Sequence, residues 1–97
     1  MKFKKNDLVF IPLGGSGEIG MNCNLYHYDN SWIMIDLGVM FGNLNLSSNE
    51  LIMPNIDFIN NNNIKLDGLI LTHAHEDHIG AVPFLYHKLG SFKIYTT

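Results

Sequence analysis

The chain has 97 residues, 46% of them hydrophobic and 15% charged, with six Lys, no Arg and nine acidic residues for a net charge of −3 with neutral His. This is one small globular domain or part of a larger one, and it excludes a strongly basic, self-standing nucleic-acid-binding module. Cys23 is the single cysteine, which excludes a disulfide scaffold, and no apolar run approaches the ~18 residues needed to cross a bilayer.

At the start, Lys2, Lys4 and Lys5 precede Leu8-Val9-Phe10-Ile11, a superficial likeness to a secretion signal. Asn6-Asp7 interrupt it, and Pro12 ends the apolar stretch short of the ~7–15 residues a signal needs. A cytoplasmic chain with no membrane partner is expected, and a lone thiol agrees with a reducing compartment. Leu8 to Ile11 reads as a buried strand stopped by Pro12. Leu13 to Asn22 reads as a loop with four glycines. Asn24 to Tyr28 and Trp32 to Ile35 read as a β-hairpin around Asp29-Asn30-Ser31, which carries turn chemistry.

From Gly38 to Pro54, Asn and Ser alternate with Leu, and a long surface excursion is expected. Asp57 to Ile64 reads as a short helix weakened by Asn60-Asn61-Asn62-Asn63, which are poor helix formers. Gly68-Leu69-Ile70-Leu71-Thr72 is a continuous apolar run, as in a strand covered on both faces. Ile79, Val82, Leu85, Tyr86 and Leu89 follow helical spacing, with Pro83 in the first turn and Gly90 as the stop. Phe92 to Tyr95 begins another strand. His27 and His87 read as surface or half-buried residues, and Cys23 as packing.

The chemistry concentrates at His73, His75, Asp77 and His78, four candidate ligands within six residues directly after an apolar strand. A spacing of two between His73 and His75 lets both imidazoles converge on one ion, while Asp77 and His78, past the turn, reach a second ion beside it. Imidazole and carboxylate ligands suit zinc first, then manganese or iron. A solvated polar loop with Asp77 as a helix cap explains the same residues only if three histidines gathered there by chance.

His-x-His-x-Asp-His after an apolar strand resembles the signature of the metallo-β-lactamase fold, shared by many hydrolases. Further segments, Pro12-Leu13-Gly14-Gly15-Ser16-Gly17-Glu18-Ile19-Gly20-Met21-Asn22, Ile35-Asp36-Leu37-Gly38-Val39-Met40-Phe41 and His73 to Pro83, resemble the ribonuclease J family, the β-CASP nuclease branch of that fold. The resemblance implies an α/β (α+β) fold, residues 1–97 being the N-terminal portion of an αββα sandwich, incomplete and without the β-CASP and C-terminal domains. It implies a two-metal hydrolase of RNA phosphodiesters, zinc or manganese dependent, acting on 5′-monophosphorylated RNA by 5′-to-3′ exonucleolytic and endonucleolytic cleavage in mRNA decay and ribosomal RNA maturation. It places Asp36 beneath the metal site, orienting a ligating histidine through its free ring nitrogen; a plain strand-end turn before Gly38 explains Asp36 nearly as well. Asn55 departs from the family pattern, standing where an Asp commonly follows the Pro, and so does the Asn- and Leu-rich run after Phe41.

Two other readings compete. Another hydrolase of the same fold would share the histidine motif. A dinucleotide-binding module would use Gly15-Ser16-Gly17-Glu18-Ile19-Gly20 with Asp36, and it requires a helix directly after the glycines. Four ligands shared by two ions leave each with two, whereas a catalytic zinc takes three and a water. The catalytic set is therefore expected to be incomplete and the chain inactive alone, a truncated piece or one half of a pair with a separately encoded remainder.

Overall fold

The computed structural model describes residues 3–14, 21–41 and 51–96. The glycine run 15–20 and the Asn- and Leu-rich stretch 42–50 lie outside the described residues. Strand β1 (Val9–Gly14) is not the buried strand expected: Phe10 is exposed and none of its residues is buried, and it does not stop at Pro12 but runs on to Gly14. It is an edge strand, where the missing proline N–H need not cost a ladder bond, and the register shifts between Pro12 and Gly14. Strands β2 (Cys23–Tyr28) and β3 (Ser31–Ile35) form the expected hairpin. Its two-residue turn holds Asp29 at φ 53° and Asn30 at φ 61°, the left-handed pair whose twist matches antiparallel strands and which Asp and Asn tolerate.

The expected surface excursion is overturned at both of its described ends. Leu37, Gly38, Val39 and Pro54 are buried, and β4 (Met40–Phe41) pairs antiparallel with β5 (Leu51–Ile52). Helix α1 (Asp57–Asn61) follows. The Asn55 side-chain oxygen accepts from the Asp57 N–H at 2.9 Å, so Asn supplies there the acceptor that an Asp would. The Asn run ends the helix: Asn62 donates its amide back to the Phe58 carbonyl at 2.8 Å, and Asn63 turns to φ 52°.

Strand β6 (Gly68–Leu71) pairs parallel with β3, and after it come α2 (Glu76–Ile79), α3 (Val82–Leu89) and β7 (Lys93–Thr96), the last parallel to β6. The single helix expected from Ile79 is thus two short ones. Pro83 must sit in a first turn, where its missing N–H does no harm, so a new helix starts with Ala81 as its N-cap. Gly90 ends α3 at φ 114°.

The five-stranded sheet has the order β1-β2-β3-β6-β7. On one face Leu25, Met34 and Leu69 are fully buried, in one core with Ile59 of α1 and Leu85 and Leu89 of α3. His27 lies on that face and is 3% exposed, correcting its reading as a surface or half-buried residue. Its ring packs on Trp32 and Phe3, and its Nδ1–H donates to the Asp7 carbonyl at 2.6 Å. The other face carries Phe10, Tyr26, Ile33, Ile35, Ile70 and Tyr95, none of them buried. Strand β6 is therefore covered fully on one side and partly on the other. The architecture is the expected α/β class, a mixed sheet with helices against one face.

Candidate metal centre

Strands β3 and β6 are neighbours and parallel, so their C-terminal ends open at the same edge of the sheet, where open α/β sheets place their ligands. Asp36 leaves β3 at φ 67° while its N–H still bonds the Ile70 carbonyl at 2.8 Å. That left-handed residue turns its carboxylate toward Thr72, which leaves β6. Asp36 is 5% exposed and richly bonded. Its Oδ1 accepts the Thr72 N–H at 2.8 Å, and its Oδ2 accepts the Thr72 hydroxyl at 2.7 Å and the His78 Nδ1–H at 2.8 Å.

Backbone bonds stitch three segments together beside this carboxylate. The Leu37 N–H donates to the His78 carbonyl at 2.8 Å, and Ala81 donates back to Leu37 at 3.0 Å. The Asn22 N–H donates to the Asp77 carbonyl at 2.8 Å, and Gly38 donates to Asn22 at 3.0 Å. The approach at Gly38 leaves no room for a side chain, since a Cβ there would collide with the Asp77 carbonyl.

The four candidate ligands lie along this clamp. The His73 and His78 rings are 4.5 Å apart between centroids, and those of His73 and His75 are 6.4 Å apart and nearly parallel at 26°. His73 and His75 are exposed, Asp77 and His78 half-buried. The His78 Nε2 and Asp77 Oδ2 atoms face each other at 3.5 Å. Two ligands about 2.1 Å from one tetrahedral ion would be about 3.4 Å apart, so this pair has the spacing of co-ligands. Among the described residues no group of three His, Cys, Asp or Glu side chains is arranged to hold an ion. Imidazole nitrogens and a carboxylate backed by a bonded outer shell still fit a divalent ion in donor chemistry.

Two residues of this site were missed. Asn22 places its amide Nδ2 3.5 Å from both Asp77 Oδ2 and His78 Nε2; it ends the glycine-rich element, which the sequence marked only as a family trait. Thr72 was read as the end of an apolar strand, yet its hydroxyl touches Asp36, His73 and His78. Cys23 is fully buried, and burial together with the nearby Asp36 charge pushes its thiol up to about 12, so it is neither ligand nor nucleophile. The dinucleotide reading fails in its context. Its glycines lie outside the described residues, but the segment after them is strand β2 rather than a helix, and the Asp36 carboxylate is already engaged.

The Metallo-beta-lactamase superfamily profile matches residues 17–90, well over half of the chain. Among curated proteins, the chain is 48% identical over 88 residues to "Ribonuclease J" of Sinorhizobium meliloti, a stretch that is 87% of this chain and 16% of that protein. It is 40% identical over 93 residues to "Ribonuclease J" of Helicobacter pylori, covering 96% of this chain and 13% of that one. Against "Ribonuclease J 2" of Staphylococcus aureus it is 38% identical over 91 residues, 94% and 16% of the two chains. The chain thus spans less than a fifth of the length of these relatives. It belongs to the metallo-β-lactamase superfamily.

Proposed function

From this membership we propose that the chain forms the amino-terminal part of the catalytic domain of a metal-dependent ribonuclease, with His73, His75, Asp77 and His78 as metal ligands. The observation that carries the reading is the buried Asp36 carboxylate, which bonds His78 Nδ1 at the shared end of β3 and β6 and so leaves Nε2 as the free lone pair. Asp36 is a positioning residue in this reading, holding the His78 ring and its tautomer. Asn22 lies between Asp77 and His78 and orders that pair. Two divalent ions, zinc first and manganese second, would supply a polarised phosphoryl oxygen and a water activated near neutral pH.

The names of the relatives support RNA as the substrate. The finer reading is 5′-monophosphorylated RNA, cut both from the 5′ end and internally, in mRNA decay and ribosomal RNA maturation in the cytoplasm. Four ligands for two ions fall short of three per catalytic ion. The remaining ligands and the proton-transfer groups must then come from residues beyond these 97, in the same polypeptide or in a separately encoded one.

Elemental analysis of the purified chain, alongside cleavage of a 5′-monophosphorylated RNA, tests this. The expected result is weak metal retention and no cleavage by the 97 residues alone, with cleavage by a longer polypeptide that contains them and its loss on His78→Ala. Stoichiometric metal and metal-dependent cleavage by the 97 residues alone would overturn the coordination count. A longer polypeptide indifferent to His78→Ala would overturn the ligand assignment.

A further inference from the structure

The Thr72 hydroxyl has contacts that only one proton arrangement satisfies. It lies 2.7 Å from Asp36 Oδ2, 3.0 Å from Asp36 Oδ1 and 2.9 Å from His73 Nδ1. An ionised carboxylate only accepts, and a hydroxyl has one proton to give and two lone pairs. If that proton went to His73 Nδ1, the hydroxyl oxygen would face the carboxylate with no hydrogen between them. The proton therefore goes to Asp36, and a lone pair on Oγ1 accepts the Nδ1–H of His73. The same carboxylate oxygen accepts the Nδ1–H of His78 directly at 2.8 Å.

We propose that Thr72 is a positioning residue that relays the Asp36 carboxylate to His73, so that one buried acid sets the ring tautomers of two histidines at once. Both rings then carry hydrogen on Nδ1 and present a bare Nε2 to the mouth of the site. Their centroids are 4.5 Å apart, so the two rings occupy one small region of the site. The backbone supports the relay independently: the Thr72 N–H bonds Asp36 Oδ1 at 2.8 Å, holding the threonine in place whatever its side chain does. The hydroxyl can thus be deleted without releasing the strand end.

The relay rests on the reading of His73 and His78 as metal ligands, but its first test does not. In the metal-free chain, nitrogen-15 NMR of the imidazoles should find hydrogen on Nδ1 in both His73 and His78. Thr72→Ser should keep both, whereas Thr72→Val should release His73 into a mixture of tautomers and leave His78 unchanged. Zinc affinity should fall about 10–100-fold in Thr72→Val, as for other supporting groups around metal sites, and return in Thr72→Ser. Hydrogen on Nε2 of His73 in the unsubstituted chain, or a His73 tautomer indifferent to Thr72→Val, would overturn the relay. If the tautomers behave as expected and zinc shifts neither ring in the longer polypeptide that completes the ligand set, the ligand reading fails while the relay stands.

Discussion

The buried Asp36 carboxylate gathers three donors, the Thr72 N–H, the Thr72 hydroxyl and the His78 Nδ1–H. Replacing it with Asn puts an amide N–H₂ or a lone carbonyl where a carboxylate accepted three donors. Asp36→Asn should cost about 1–3 kcal/mol of folding stability, the loss expected when a buried group is left unpaired, and weaken zinc binding about 10–100-fold. Denaturant melts and a competitive zinc titration measure the two effects. Cys23 offers a second check. Its folded thiol is raised from 9.0 to about 12, so the folded state favours the neutral form. The stability this contributes is complete below pH 9 and is lost as pH rises from there toward 12. Cys23→Ala should flatten that alkaline loss in urea midpoints measured from pH 8 to 11. The native thiol should also resist alkylation at pH 8 until the chain is unfolded. At this scale the histidine cluster and Asp36 were legible because their types and spacing are unusual. Thr72 and Asn22 were not, since a single polar residue has no periodicity, and its partner is decided only by how β3, β6 and the Asp77 segment align.

The hairpin, the central strand and the helix stop were legible because each has a local cause: left-handed turn residues, an unbroken apolar run, a glycine at positive φ. The failures were places where tertiary position overrode a local rule. Pro12 stays in strand because β1 is an edge, and the helix breaks before Val82 to keep Pro83 within a first turn. The pairing of β4 with β5 joins residues too far apart for any local signal. Gly38 read as part of a family trait, and its physical need emerged only from the clamp, where Asp77 passes against it. Gly38→Ala should force the β3 exit away from α2, costing about 1–3 kcal/mol as other overpacked positions do. Because the shift moves Asp77 and His78 together, zinc affinity should fall in the same variant, and calorimetry reads both.

The whole sheet is covered unequally. Helices close one face, while Phe10 is 52% exposed and Tyr95 54% exposed on the other. Every residue of β7 is exposed, and it lies at an edge of the sheet. Uncovered apolar surface beside a strand edge invites association. The 97 residues alone should bind a hydrophobic dye and sediment as more than a monomer. Phe10→Lys with Tyr95→Lys should reduce both signals while leaving the His73 and His78 resonances in place. An incomplete αββα sandwich leaves a sheet face of this kind without its second sheet, and the sequence carried a trace of it in Tyr26 and Tyr28, two residues apart in β2.

The parallel pairing of β3 with β6 also governs time. Strands β1, β2 and β3 are joined by close neighbours in sequence and can zip early, but Ile33 must find Gly68, a distant closure of the slow kind. The candidate site exists only after that closure. A slip of one residue would send Asp36 and Thr72 to opposite faces, so their bond forms in the correct register alone. Any ion that binds this end of the sheet rewards that register by mass action, and so acts as a late editor of the fold as well as an agent of chemistry.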